Sequence, residues 1–339
     1  QGLLLQVPTY KVDVTREVDI IEEILRIHGY NNIEIPNQIR ASLNYAEKPD
    51  KEIVQHKIAD LLTANGFVEI MSNSLTKLTY SSNPEQAVKI LNPLSTDLDA
   101  MRQSLLFSGL EAIVYNQNRK NSDLKMYEFG KTYWSEEGVY YENQRLALFL
   151  TGANEIDNWN NKAKKVSFYN LKSVVDTIIQ RLNIKGLVTK DTDDTHLSAG
   201  LHYLKGEKVL IQFGSVSKSV LKKLDIANEV FYADFNWDLI LKIIRKNKIS
   251  YREVSKYPAV RRDLSMLLDQ SILFDQLKQI AHKTEKSLVK EINVFDVYVG
   301  NKLPEGKKSY ALSFTLQDEE RTLTEKQIET SMQKLIQSF

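Results

Sequence analysis

From residue 263 to the last residue, Phe339, the chain alternates period-two and helical patterning in an order that few folds accept. Residues 263–268 read as a strand, 273–284 as a helix, 289–299 and 309–317 as strands, and 324–339 as a helix with Thr324 as its N-cap. A loop holding Gly300, Pro304 and Gly306 separates the two consecutive strands. Strand–helix–strand–strand–helix is the split βαβ, ferredoxin-like order without its closing strand. Such a loss predicts an open sheet edge at 263–268 and a poorly anchored last helix.

A chain of 339 residues with 42% hydrophobic content has room for two or three globular domains. It contains no cysteine, which excludes a disulfide framework, thiolate zinc and a cysteine nucleophile, and suits a reducing, cytoplasmic setting. No apolar run reaches the length of a membrane span, and Gln1 opens no signal peptide. A start without methionine predicts an excised or processed chain. The net charge of +1 gives no global attraction to nucleic acid, so RNA contact needs a local patch. Lys242, Arg245, Lys246, Lys248, Arg252, Lys256, Arg261 and Arg262 form one, opposed only by Glu253 and interleaved with Tyr251 and Tyr257. A merely solvated linker has the same composition.

Four carboxylates stand at fixed offsets near the start: Asp13, Asp19, Glu22 and Glu23. Ile20, Ile21, Ile24, Leu25 and Ile27 predict a helix stopped by Gly29. Its first turn and a half holds the last three acids, and Asp13 precedes it in an alternating stretch. Grouped carboxylate oxygens suit a hard divalent cation. The same residues also suit a helix start, because Asp19-x-x-Glu22 has capping-box spacing and acids complement the helix dipole. Both readings stand on the residues alone.

Between these ends, 35–49 reads as a connection punctuated by Pro36 and Pro49, and 51–65 as a helix closed by Asn65-Gly66. Strands are expected over 67–75, 125–134, 144–151, 209–216 and 231–235, and helices over 101–118, 168–182 and 220–224. Gly130-Lys131-Thr132 ends like a P-loop, but Lys125 stands where the loop's first glycine belongs. His196 and His202 are six apart, which is no helical metal pair, and no acid is expected to complete a triad there; both read as ordinary histidines.

The phrases VPTYKVDVTREVDIIEEILRIHGYNNI (7–33), NGFVEIMSNSLT (65–76), NPLSTDLDAMRQSLLFSGLEAIVYNQNR (92–119), KMYEFGKTY (125–133), KYPAVRRDLSMLLD (256–269) and FDVYVGNKLPEGKKSYALSFTLQDEERTLT (295–324) together resemble the beta subunit of bacterial phenylalanyl-tRNA synthetase, in its carboxy-terminal portion. Departures are small: Tyr10-Lys11 replaces an aromatic–arginine pair, and His196-Leu197-Ser198 replaces His-Pro-Gly. The resemblance implies an α+β chain, with a class II synthetase-like antiparallel sheet and flanking helices followed by a ferredoxin-like βαββα(β) domain lacking its last strand. The implied boundaries are 1–40, 41–245 for the degenerate core, and 246–339 for the truncated anticodon-binding domain.

It further implies that Asp13, Asp19, Glu22 and Glu23 bind a magnesium ion shared with an alpha subunit, that the partners form an α2β2 assembly, and that ATP is bound by alpha. No catalytic residue is expected here. A working class II site needs arginines against the nucleotide phosphates; between 187 and 236 there is no arginine, and the glycines are Gly200, Gly206 and Gly214 only. The expected role is therefore to support phenylalanine–tRNA ligation and to hold tRNA(Phe). Tyr257, Arg261, Arg262, Tyr298, Lys307, Lys308 and Arg321 are the candidate RNA contacts, through positive charge and stacking. A stand-alone RNA-binding protein and a magnesium-dependent enzyme are the alternatives.

Overall fold

Helix α1 (Glu17–His28) ends at Gly29, whose φ of +88° glycine adopts without strain, and none of its side chains is buried. The computed structural model describes residues 2–35, 38, 41–42, 48–155, 157–247, 250–251, 253–300 and 302–339, in two compact units, Gln1–Asn247 and Lys248–Phe339. Pro36 of the expected connection, and Lys248 and Arg252 of the basic patch, lie outside the described residues.

Helix α2 (Lys51–Ala64) starts at Asp50, whose carboxylate accepts from the N–H groups of Glu52 and Ile53, and it buries Val54, Ile58 and Leu62 one turn apart. Three two-residue strands follow, β1 (Val68–Glu69), β2 (Leu75–Thr76) and β3 (Ala100–Met101), then helix α3 (Leu106–Gln117). The one strand expected over 67–75 is thus broken, and the helix expected from Met101 begins five residues later. The break has a cause. The Ile70 N–H still donates to Tyr127 O at 2.8 Å, but the Ser72 N–H and hydroxyl turn to the Glu128 carboxylate.

Strands β4 (Leu124–Glu136) and β5 (Val139–Thr151) form a hairpin in unbroken register, from Leu124 opposite Thr151 to Glu136 opposite Val139. Glu137 and Gly138 both take positive φ, the turn that matches strand twist. Then come β6 (Ala153–Glu155), β7 (Lys164–Lys165), α4 (Phe168–Arg181), β8 (Val188–Asp191), β9 (Leu197–Lys205), β10 (Lys208–Val216), α5 (Lys218–Lys223), β11 (Val230–Asn236) and α6 (Trp237–Ile244). Seven strands pair in the order β1-β4-β5-β11-β10-β9-β8, antiparallel throughout except β1 with β4.

Strands β8 and β9 and helix α6 were not legible in the sequence. At Gly200 and Gly214, paired across β9 and β10, a Cβ would lie 2.6 and 2.3 Å from facing carbonyl oxygens, so the strands meet where apolar alternation is missing. Helices cover both faces of the sheet. Leu146, Leu148 and Leu150 of β5 pack toward α2, α4 and α6, while Ala147 and Phe149 pack toward α3 and α5. A strand buried on both sides reads as the continuous apolar run 146–150.

In the second unit, β12 (Val260–Asp269), α7 (Phe274–Thr284), β13 (Val289–Tyr298), β14 (Lys307–Leu316) and α8 (Glu325–Ser338) follow the expected order. The sheet order is β12-β14-β13, so β12 is an edge strand. Leu277 and Ala281 of α7 and Ile328 and Leu335 of α8 pack with Ile292, Leu312, Phe314 and Leu316 against one face, leaving the other face open.

Candidate functional sites

At α1 the two sequence readings separate by residue. The N-cap is Arg16 and Asp19 is the third helical position, so the cap lies three residues earlier than Asp19-x-x-Glu22 spacing suggests. Asp19 Oδ2 accepts from the N–H groups of Arg16 (2.7 Å) and Thr15 (2.9 Å), and Arg16 pairs with Oδ1. The Thr15 N–H, then the Arg16 N–H, hold the Asp19 carboxyl below the usual carboxylate range. Glu23 Oε1 pairs with Lys11 at 3.2 Å and Arg26 at 3.1 Å. Asp13 and Glu22 are exposed. The four acids therefore do not gather into a chelating set on this chain, and among the described residues no three His, Asp or Glu side chains do.

Beneath the hairpin lies an ion pair that the sequence did not disclose. Arg102, at the end of β3, and Glu128, on β4, meet at 2.8 Å with side chains 5% and 2% exposed. Arg102 also donates through Nε to Lys131 O at 2.9 Å and through Nη1 to Ser72 Oγ at 2.7 Å, while Ser72 Oγ donates to Glu128 Oε2 at 2.6 Å. Gly130 leaves the room, since a Cβ there would stand 2.5 Å from Arg102 Nη2. Arg102 Nε and Nη1 and both Glu128 oxygens are met within the protein, which marks the pair as architecture.

An acid accompanies His196, though no serine hydroxyl joins the pair among the described residues. Asp194 Oδ1 accepts from the His196 ring Nδ1 at 2.9 Å and its main-chain N–H at 2.8 Å, and Gln212 donates to Oδ2. The hydrogen bond from His196 holds the Asp194 carboxyl down to about 2, and Asp194 in turn raises His196. His202 meets the Thr192 hydroxyl at 3.0 Å. A signal for the first pair existed in the two-residue spacing Asp194-x-His196, which folds a turn on itself.

The second unit sorts the candidate RNA contacts by sheet face. Opposed residues of paired strands share a face, and successive residues alternate. Arg261 faces Thr315, Tyr298 faces Ser309, and Lys307 faces Asp269, all on the open face. Arg262 and Lys308 project from the helix-covered face, opposite Phe314 and Leu268. Arg262 pairs with Glu325. Lys308 is buried and donates to Gln270 O at 2.8 Å and Ile272 O at 2.6 Å, closing the turn after β12. Tyr257 sits in the loop before β12, where its carbonyl accepts from Gln317, and Arg321 pairs with Asp318 in the loop before α8. On the open face the Arg261 guanidinium lies 5.3 Å from the Phe295 ring centroid. That face also holds Asp263, paired with Arg261 at 2.9 Å, and Asp269, paired with Lys307 at 2.7 Å.

Compared with known families, residues 35–237 match the phenylalanyl tRNA synthetase beta chain CLM domain, 255–339 the ferredoxin-fold anticodon binding domain, and 1–30 the tRNA synthetase B5 domain. A Bacteroides thetaiotaomicron protein named phenylalanine–tRNA ligase beta subunit is 46% identical over 100% of this chain and 43% of its own length. A Porphyromonas gingivalis protein of the same name is 39% identical over 98% of this chain and 43% of its own. The chain spans less than half the length of either relative.

Proposed function

The chain belongs to the phenylalanyl-tRNA synthetase beta-chain family, and on that footing we propose that it is a non-catalytic, tRNA-holding part of a cytoplasmic phenylalanine–tRNA ligase. ATP and phenylalanine are handled by an alpha subunit in an α2β2 assembly. The first unit's sheet corresponds to a class II synthetase core that has lost its chemistry. One observation carries this reading. Strands β9, β10 and β11 bear no arginine; of the cavities beside them, one of about 140 Å3 is lined by Asp194, Tyr232 and Asp234, and one of about 680 Å3 by Ser198, Ser215 and Lys218. An arginine clamp on nucleotide phosphates therefore has no side chain to form it in these strands.

The second unit is the tRNA contact. Arg261, Tyr298 and Lys307 share its open face with Phe295, and Tyr257 and Arg321 flank it from loops. Arg262 and Lys308 act within the fold. Because Arg261 and Lys307 already have carboxylate partners, phosphates must displace those carboxylates, so binding is weak, and it falls with salt as phosphate contacts do. The edge of β12 stays unpaired among the described residues.

Magnesium fits the acids of α1 only in part. Asp13 and Glu22 are available, Asp19 and Glu23 are engaged within the chain, and a partner must supply further oxygens.

The test is phenylalanine charging of tRNA(Phe) with and without added alpha subunit, paired with titration of labelled tRNA(Phe). Activity of this chain alone overturns the non-catalytic reading. Unchanged tRNA affinity at low salt in the double variant Arg261→Ala, Phe295→Ala removes the open face from the interface.

A further inference from the structure

Beside the first turn of α3 lies the cavity of about 140 Å3, and its two carboxylates are in unequal states. Asp194 has both oxygens engaged, Oδ1 by His196 and Oδ2 by Gln212. Asp234, on β11, has one: Oδ2 accepts from Arg145 at 3.3 Å, and Oδ1 is shut off from solvent without a partner. The Tyr232 hydroxyl, on a residue 3% exposed, makes no hydrogen bond apart from a weak approach to Ser104. Buried polar atoms are nearly always met, so two unmet ones lining one cavity call for a ligand or water. Leu106 and Phe107 supply the aliphatic and phenyl part of its lining. Phe107 stacks on Tyr80 at 4.4 Å between centroids and presents its face or edge to His196 at 5.5 Å.

We propose that this cavity binds a small organic cation carrying a primary ammonium group, whose N–H bonds go to Asp234 Oδ1 and Tyr232 Oη and whose short alkyl part lies against Phe107. The unmet carboxylate oxygen accepts only, so the ligand must donate. One long contact from Arg145 leaves Asp234 short of positive charge, and a charge-assisted bond to an ammonium supplies it. A water takes about 30 Å3 of liquid volume, so the space holds four or five groups of that size, too few for a nucleotide or an aromatic amino acid. A metal ion is the poorer occupant, because Asp194 has no free oxygen to offer. Burial, ahead of Asp194, raises the Asp234 carboxyl, and an arriving cation reverses that penalty.

The probe is ethylammonium chloride, compared at equal ionic strength with sodium chloride and with tetramethylammonium chloride, which has the charge but no N–H. The full 339-residue chain is unfolded by urea and followed by tryptophan fluorescence. At ten times its dissociation constant, ethylammonium should lower the unfolding constant about elevenfold, and the other salts should not. Asp234→Asn and Tyr232→Phe should remove most of that effect, and exposed Asp225→Asn should leave it intact. Where Asp234→Asn does not fold, Tyr232→Phe decides, since it deletes only an unbonded hydroxyl. Equal behaviour in ethylammonium and sodium chloride means that water alone fills the cavity and overturns the proposal. An ammonium-specific effect retained by Tyr232→Phe also overturns it.

Discussion

Replacing Glu128 by Gln should be among the most damaging conservative changes in this chain. The substitution keeps shape and volume but leaves the Arg102 guanidinium, 5% exposed, without its counter-charge. Removing one partner of a buried pair costs roughly 3–5 kcal/mol, whereas replacing both by apolar groups is often close to neutral. Here the double replacement Arg102→Met, Glu128→Leu cannot be neutral, because it also strands the Lys131 carbonyl and the Ser72 N–H and hydroxyl. Unmet groups of that kind cost about 1–3 kcal/mol each. The double variant should therefore still be destabilised, yet by about 3 kcal/mol less than the sum of its single changes, the coupling expected of a buried charge pair. All three tryptophans, Trp134, Trp159 and Trp237, lie in the first unit, so their fluorescence during urea unfolding reports it alone. With a slope of about 3 kcal/mol per molar urea, the Glu128→Gln midpoint should fall by about 1–1.7 M. A fall worth less than ~1 kcal/mol, or additive single changes, would refute the view that this pair fixes the β1–β4 corner.

Three further outcomes follow from named contacts. Gly109→Ala should destabilise the first unit by at least the ~1–3 kcal/mol typical of overpacking, because its Cβ would stand 2.0–2.5 Å from Phe149 ring atoms; a wild-type urea midpoint would contradict this. Lys308→Met should cost the second unit about 1–3 kcal/mol by stranding the Gln270 and Ile272 carbonyls, while Lys307→Met should cost under about 1, read by circular dichroism melting of each variant. His196, raised from 6.5 by Asp194, stabilises below 6.5 and loses that contribution as pH rises through its folded pKa; Asp194, held at about 2, stabilises above 3.8 and loses it as pH falls toward 2. The stability gap between wild type and Asp194→Asn should thus be widest between about pH 4 and 6.5, and the His196 NMR titration should move back toward 6.5 in the variant.

The second unit was legible because its signals are local: alternation in β12 and β14, Thr324 capping α8, and glycine and proline between β13 and β14. The first unit hid what depends on distant partners. Residues 67–75 alternate as a strand should, but Ser72 is drawn off by Glu128, fifty-six residues away. Strand β9 lacks apolar alternation because Gly200 must admit β10, and α6 carries Trp237, Ile240, Leu241 and Ile244 at helical spacing, but over only eight residues, too short a run to stand out beside the strand before it. The acids of α1 were visible as a group, but the N-cap register was not. It turns on Arg16, a residue type that side-chain capping does not favour.

The seven-stranded sheet has a single long seam. Strands β4 and β5 close on each other through a two-residue turn, and β8 to β11 follow one another as neighbours. Among the described residues, the strand pairing that joins these two blocks is β5 against β11, from Thr151 opposite Val230 to Arg145 opposite Asn236. Loop closure of that span is the slow contact to make, and the seam is the natural line along which a partly opened molecule parts. Parting there turns Leu146, Leu148, Phe231 and Ala233, among the most deeply buried residues of the chain, into residues of naked sheet edges. Exposed apolar edges recruit other chains. Substitutions that weaken the β5–β11 pairing should therefore raise aggregation during urea unfolding more than equally destabilising changes elsewhere in the first unit.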